Sequence, residues 1–293
     1  MRSVTAALVC GVGLLMSAAV AQEPPDSAWA RYPAVTEIEI RDAAARVVIA
    51  PQRRSDSAFV VVNDGPLPHP RVQVRGSRLI LDGDLRRIDG CVEDGSVTVA
   101  GHGRLAAADL PVIYIRTPES VIFSGEGALS LTSAPATSAR VSLAGCSAGS
   151  LGPVADLLRL QLAGAASATA GPSARALVSI AGNGAARLGP VQRDLDVTIA
   201  GSGRVDVAAV SGAVRVAIQG DGHVDLGSGH AEDLRVAIAG RGHVRFNGAA
   251  AKVSAAIAGT GLVEVAAVES PVEQRIAGSG EVRVGQLRPA SAP

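Results

Sequence analysis

The sequence is poor in aromatic residues, in cysteine and in charge of one sign. Only 2% of its 293 residues are aromatic, and three are cysteine. Basic and acidic residues number 27 each, so the formal net charge is zero. Nucleic acids and anionic membrane surfaces attract proteins that carry a positive field. The composition therefore gives no reason to expect a nucleic-acid partner.

Long apolar runs are also scarce, and the one clear run is at the N-terminus. Arg2 precedes an apolar stretch over 6–20, and Ala19-Val20-Ala21 fits the small-x-small cleavage rule. We predict a signal peptide over 1–21 and export to the periplasm, the cell surface or the medium. An uncleaved anchor helix and lipidation at Cys10 are the alternatives. No transmembrane segment is predicted in the mature chain.

Glycine, in contrast, is abundant, with 34 residues. A Gly-x-Gly motif returns every 19 or 20 residues in the second half of the chain. The first glycines are Gly182, Gly201, Gly220, Gly240, Gly259 and Gly278, and the second glycines are Gly184, Gly203, Gly222, Gly242, Gly261 and Gly280. Such a period is typical of a repeat array. We interpret these glycines as corners, where a strand bends too sharply for a residue with a side chain.

The residues beside each Gly-x-Gly motif alternate between apolar and polar. Val197 and Ile199 precede one motif, and Val216 and Ile218 precede the next. Alternation puts one face of a strand inward, and identical columns indicate that successive coils stack on one another. The sequence therefore predicts an all-β parallel β-solenoid, a right-handed β-helix with about 19 residues per coil. Short N-terminal strands continuous with it are expected to precede it.

The chain divides into five predicted segments. After the signal peptide, we expect a Pro-rich linker over 22–34 and a head of short β-strands over 35–110. The Gly-x-Gly solenoid follows over 111–287, and a disordered tail over 288–293. The sequence AGHG at 100–103 resembles an isolated early copy of the repeat.

The sequence contains one candidate disulfide and one candidate metal site. Cys91 and Cys146 remain after signal cleavage, and an oxidising compartment permits a disulfide between them. Two free thiols are the alternative. His223 and His243 share an outward column in adjacent coils, where they could share a metal with Asp225. Because no firm third ligand is evident, we predict a solvated ladder and no metal.

No catalytic or cofactor-binding residues are predicted. The array lacks converging carboxylates and aromatic platforms, which glycan-active β-helices need. We predict a non-enzymatic, exported protein that binds or scaffolds an unidentified ligand of the cell envelope or surface. A glycan-active or glycan-binding β-helix and a purely structural periplasmic protein are the alternatives. Bare solenoid ends or edges could also pair two copies into a homodimer.

The strand pattern from about Val35 to Leu287 resembles a known family, the putative auto-transporter adhesins with a head GIN domain. The coils VTIAGSGRVDV and VAIAGRGHVRF are similar to that family's Gly-x-Gly solenoid. The resemblance implies an exported β-helical protein with an adhesive or envelope-associated role, and it transfers no catalytic residue. A translocating β-barrel is not expected after the solenoid, because the sequence stops at Pro293 directly after it.

Overall fold

A computed structural model describes residues 24–33, 35–63, 65–91 and 95–287, without the side chains of residues 89 and 91. The predicted signal peptide and the predicted tail lie outside the described residues. So does the start of the predicted linker. No helix in the described ranges is long and apolar enough to cross a membrane.

The regular structure of the described residues is nearly all β. The strands of the N-terminal part are β1 (Ala30–Tyr32), β2 (Glu37–Gln52), β3 (Ser57–Val62), β4 (Arg71–Arg75), β5 (Arg78–Asp82), β6 (Ile88–Cys91), β7 (Val97–Val99), β8 (Gly103–Leu105) and β9 (Val112–Pro118). The remaining strands are β10 (Ser120–Ser133), β11 (Ser138–Gly145), β12 (Ala148–Leu151), β13 (Val154–Gly164), β14 (Ser167–Ala170), β15 (Ser173–Gly182), β16 (Ala185–Leu188), β17 (Leu195–Gly201), β18 (Arg204–Gly220), β19 (His223–Gly240), β20 (His243–Ala250), β21 (Val253–Gly259), β22 (Leu262–Val268), β23 (Glu273–Gly278) and β24 (Glu281–Leu287). Two 3-10 helices cover Asp26–Ala28 and Ala107–Asp109.

Strands of successive coils pair in parallel and in register. Ile199 on β17 pairs with Ile218 on β18, and Ile218 pairs with Ile238 on β19. After each Gly-x-Gly corner the next strand stacks in the same way, so that Val205 pairs with Val224. About nine turns of about 19 residues stack along one axis. The predicted all-β parallel solenoid is confirmed.

The core runs along that axis and is filled by the inward columns. Ile199, Ile218 and Val205 are almost fully buried. A third, shorter side closes the coils, and there Val191 and Val210 form a parallel bridge. Phe246 is 1% exposed and stacks in the same inward column as Leu226 of the preceding coil. These stacked aliphatic columns stabilise the solenoid, since apolar area removed from water contributes roughly 25 cal/mol per Å².

The head belongs to the same stack of coils. Its strands, however, do not lie in the stack in the order in which they follow one another along the chain. Strand β2 forms one coil by itself, and it lies between β10 on one side and β5 and β9 on the other. Strands β1 and β3 extend the sheet beyond β9, and β4 extends it beyond β5. All of these added pairs are antiparallel. The antiparallel strands close the N-terminal end, where parallel edges would otherwise be bare.

A small antiparallel sheet of β6, β7 and β8 packs on the side of the head. Its residues join a second apolar cluster that includes Val97, Val99 and Leu105. The AGHG sequence at 100–103 forms the turn between β7 and β8. Its interpretation as an early copy of the repeat was wrong, because a tight hairpin also needs glycine at positive φ and so has the same local signature. Within the predicted linker, Ala30–Tyr32 pairs with β3.

The last described coil is exposed at the C-terminal end of the stack. Strands β23 and β24 are exposed along most of their length. Ile276 and Val284 lie in columns that are buried in the preceding coils, yet they are 40% and 38% exposed. Gln274 occupies an inward column and is exposed as well. A polar residue at this position suits the final layer of a stack.

Candidate functional site

The predicted corner glycines serve two different steric needs. Gly201 has a φ of +124°, and a Cβ at this position would collide with the carbonyl oxygen of Gly182 in the preceding coil. Gly203 does not have a positive φ, but a Cβ there would lie 2.6 Å from Cγ2 of Ile180. The first glycine of the motif thus allows the backbone angle, and the second leaves room for a core isoleucine. The same positive φ, from 116° to 129°, occurs at Gly182, Gly201, Gly220, Gly240, Gly259 and Gly278. An added Cβ would also make close contacts at Gly184, Gly203, Gly222, Gly242, Gly261 and Gly280.

A polar ladder follows the outer face of the strands after these corners. His223 and His243 are in register on adjacent coils, and Nε2 of His223 lies 3.2 Å from Nδ1 of His243. Nε2 of His243 is 3.0 Å from Oε2 of Glu264. This hydrogen bond, together with the charges of Arg245 and Arg283, holds the pKa of Glu264 below its usual range. Within the described ranges no group of three or more His, Cys, Asp or Glu residues converges as a metal cluster.

Cys146 forms a disulfide in the structure. It also packs against the apolar cluster of the small sheet, which contains Val97. Val97 is the register partner of Cys91 on β6. This proximity supports the predicted Cys91–Cys146 pair, which stays a prediction because the side chain of Cys91 is outside the described structure.

All six aromatic residues of the chain lie among the described residues, and none projects freely from the surface. Tyr32 is half-buried and stacks on Phe59. Trp29 is 8% exposed, with the guanidinium of Arg116 at 3.9 Å from the ring centroid. The other aromatic residues are Tyr114, Phe123 and Phe246, and all are buried. The solenoid therefore has no exposed aromatic platform on which a sugar ring could stack.

An apolar region of the outer surface lies near the C-terminal end of the described residues, on the strands that precede the corners. Outward positions of four successive coils carry alanine, and we call this surface the alanine face. Its members are Ala217, Ala237, Ala239, Ala256, Ala258 and Ala277. Ala217 is half-buried and the other five are exposed. Sequence reasoning did not single out this face, although the aligned columns contain it.

A shallow groove of about 490 Å³ lies on the alanine face, lined by residues 217–219, 237–239, 256–258 and 275–277. Gln219 and Arg275 are the polar side chains among these residues, and they belong to the first and last coils of the groove. The Arg275 side chain has no hydrogen-bond or ion-pair partner within the described ranges. The groove thus combines an apolar floor with a free cation at the last coil.

These features define an all-β repeat protein of the parallel-solenoid class, with structural corners, a polar ladder and an apolar outer groove. Residues 173–287 match the model of the family described as putative auto-transporter adhesin, head GIN domain. The family resemblance seen in the sequence is confirmed over that stretch. No curated protein matches the sequence significantly.

Three crystal structures share the fold. A putative adhesin from Parabacteroides distasonis has a TM-score of 0.56 at 13% identity, and one from Parabacteroides merdae has 0.53 at 12%. A putative lipid binding protein from Parabacteroides distasonis has 0.57 at 16%. Each superposition covers 87% of this chain and 95% of the other. Identities this low show a shared fold and nothing about ligands.

Proposed function

We propose that this protein is an exported, adhesin-like binding protein of the cell envelope and not an enzyme. We propose further that its alanine face holds the acyl chain of an amphipathic ligand with an anionic head group. The observation that carries the proposal is the groove on that face, whose floor is apolar and whose last coil presents the unpaired Arg275. The matched family, described as putative adhesins, supports a binding role.

The size of the groove fits a small ligand better than a stable protein partner. Its volume of about 490 Å³ is within the range of small-molecule sites. Four coils spaced about 4.8 Å apart, with alternate residues about 7 Å apart along each strand, give a face of only roughly 150–250 Å². A stable protein interface needs about 800 Å² from each partner. One acyl chain lying across the coils uses the face fully.

The expected affinity for a single chain is weak. A fully buried CH₂ contributes about 0.8 kcal/mol, so about ten half-buried CH₂ groups contribute about 4 kcal/mol, which corresponds to a Kd of about 1 mM. A charge-assisted hydrogen bond from Arg275 to the head group strengthens this by roughly tenfold at most, because the site is open to water. Useful adhesion would then depend on many copies acting together.

Two alternatives have less support. No exposed aromatic ring supports the hypothesis of a glycan-binding β-helix, because all six aromatic residues pack into the protein. A purely structural role does not explain the free Arg275 or the alanine face. A panel of polysaccharides tests the first alternative, because turnover or binding there would replace our proposal.

Self-association is a separate part of the proposal. The described edges of β23 and β24 are unpaired on one side, and Leu287, the last residue of β24, is 63% exposed. Unpaired strand edges readily accept another strand. We propose a second copy as the partner, and sedimentation of the purified protein over a range of concentrations tests it. A monomer at all concentrations would contradict it.

The functional proposal is tested in cells with a matched pair of variants. Ala239→Glu places a carboxylate in the groove, whereas Ala181→Glu changes an exposed alanine of the same column outside it. We expect wild type and Ala181→Glu to be retained in the washed envelope fraction, and Ala239→Glu to be released. Protease digestion of intact cells separately reports export to the surface. Equal retention of all three would contradict binding through the alanine face.

A further inference from the structure

We propose that His223 and His243 form a binding site for a divalent transition metal such as Cu²⁺ or Zn²⁺. The site lies on the polar ladder, on the strands after the corners, and it is independent of the groove on the alanine face. The sequence places the two histidines in one outward column, and the structure adds the orientation of both rings.

The two imidazoles present converging nitrogens. Nε2 of His223 and Nδ1 of His243 are 3.2 Å apart, with ring centroids at 5.0 Å and ring planes at 85°. Two nitrogen ligands about 2.0–2.1 Å from a tetrahedral metal ion lie about 3.3–3.4 Å from each other. The observed pair is therefore within a small side-chain adjustment of chelating geometry. The parallel register of β19 and β20 fixes both Cα positions.

Glu264 sets the tautomer of His243. Its Oε2 is 3.0 Å from Nε2 of His243, so that this nitrogen carries the proton and donates, and Nδ1 keeps its lone pair for a metal. Ligating histidines commonly donate their other N–H to a carboxylate in this way. The Glu264 carboxylate is itself held by Arg245 at 3.4 Å and Arg283 at 3.6 Å. In neutral His223 the ring proton moves to Nδ1 when Nε2 binds the metal.

The arrangement also specifies which metals bind. Two imidazoles favour Cu²⁺, Ni²⁺ and Zn²⁺, with Cu²⁺ bound most tightly, and they do not suit Ca²⁺ or Mg²⁺, which prefer oxygen ligands. With two protein ligands, the other coordination positions are left to water. This describes an exchangeable site at the surface, in keeping with the exposure of His223. Arg204, the register neighbour of His223 in the preceding coil, is paired with Asp206 at 2.9 Å.

The test is a calorimetric titration of the untagged protein with CuCl₂ and ZnCl₂. We expect one ion per chain, with affinity for Cu²⁺ reduced at least tenfold in His223→Gln and in His243→Gln. His230→Gln is the matched control, since His230 is a surface histidine on the same strand as His223 and should leave binding unchanged. Glu264→Gln keeps both ligands and should weaken binding by about tenfold.

Two further readouts guard against misleading results. Circular dichroism and thermal melting establish that the variants are folded, which we expect because these side chains are on the surface. The electron paramagnetic resonance spectrum of the Cu²⁺ complex should show coupling to two nitrogens, reduced to one in either histidine variant. The proposal is overturned if wild type binds Cu²⁺ no more tightly than His243→Gln, or if His230→Gln lowers the affinity equally.

Discussion

Replacing Gly201 by alanine is expected to destabilise the solenoid by about 2–5 kcal/mol. The residue has a φ of +124°, and a backbone in this region costs a residue with a Cβ about 1–2 kcal/mol. The added methyl group would also meet the carbonyl oxygen of Gly182. Because that oxygen belongs to the backbone of the neighbouring coil, it can only yield if the corner moves, which adds about 1–3 kcal/mol.

The assay is thermal melting and denaturant unfolding of Gly201→Ala beside Gly76→Ala. Gly76 has a φ of +62°, but nothing lies within 4 Å of the place that a Cβ would occupy there, so its replacement costs only about 1 kcal/mol. One kcal/mol corresponds to about 2–4 °C in a chain of this size. We expect Gly201→Ala to lower Tm by about 4–20 °C. If it lowers Tm no more than Gly76→Ala, the stacked-corner explanation is refuted.

Three other perturbations test the core, the disulfide and the charges. Phe246→Ala should cost about 3–5 kcal/mol by leaving a cavity in a column that is 1% exposed, and an unchanged denaturation midpoint would contradict the core assignment. Reduction, or Cys146→Ser, should lower stability by about 2–4 kcal/mol, and peptide mapping of the oxidised protein should recover Cys91 linked to Cys146. The pKa of Asp82 is lowered, first by the backbone N–H of Asp84, so its stabilisation is present above the unfolded pKa of about 4 and is lost as pH falls. Melting from pH 7 to 3 should show a smaller acid-induced loss in Asp82→Asn than in wild type.

The period of the solenoid could be predicted because the chain repeats its steric constraints. Every coil has to turn at the same place, so glycine recurs at Gly201 and Gly220, and the inward columns repeat branched aliphatic residues such as Ile199 and Ile218. The backbone angle at each corner and the stacking between coils therefore both favour the same residue types at the same positions of every repeat. Where both agree over many coils, the pattern determines the fold class.

The order of coils in the head could not be predicted in this way. Strand β2 precedes β5 and β9 in the chain but lies between them and β10 in the stack. Alternation shows which residues of β2 point inward, but it does not show which strand lies on either side. The hairpin turn at 100–103 is a related case, since glycine at positive φ serves a turn and a solenoid corner equally.

The alanine face was available in the sequence but was not recognised there. In the column that contains Ala217, Ala237 and Ala256, the preceding coil has Thr198 and the following coil has Arg275. Alanine is a weak signal, because it is common in buried and exposed positions alike. Its meaning depends on the register between strands, which joins residues about 19 positions apart into one surface.

The central claim is that the alanine face binds an acyl chain, and titration with sodium laurate below its micelle concentration tests it most directly. Chemical shifts of the labelled protein suit the expected Kd of about 0.1–1 mM. We predict saturable shifts for wild type and Ala181→Glu, with at least tenfold weaker binding by Ala239→Glu and weaker binding by Arg275→Gln. Equal binding by Ala239→Glu and wild type, or no saturable shift in wild type, would contradict the claim.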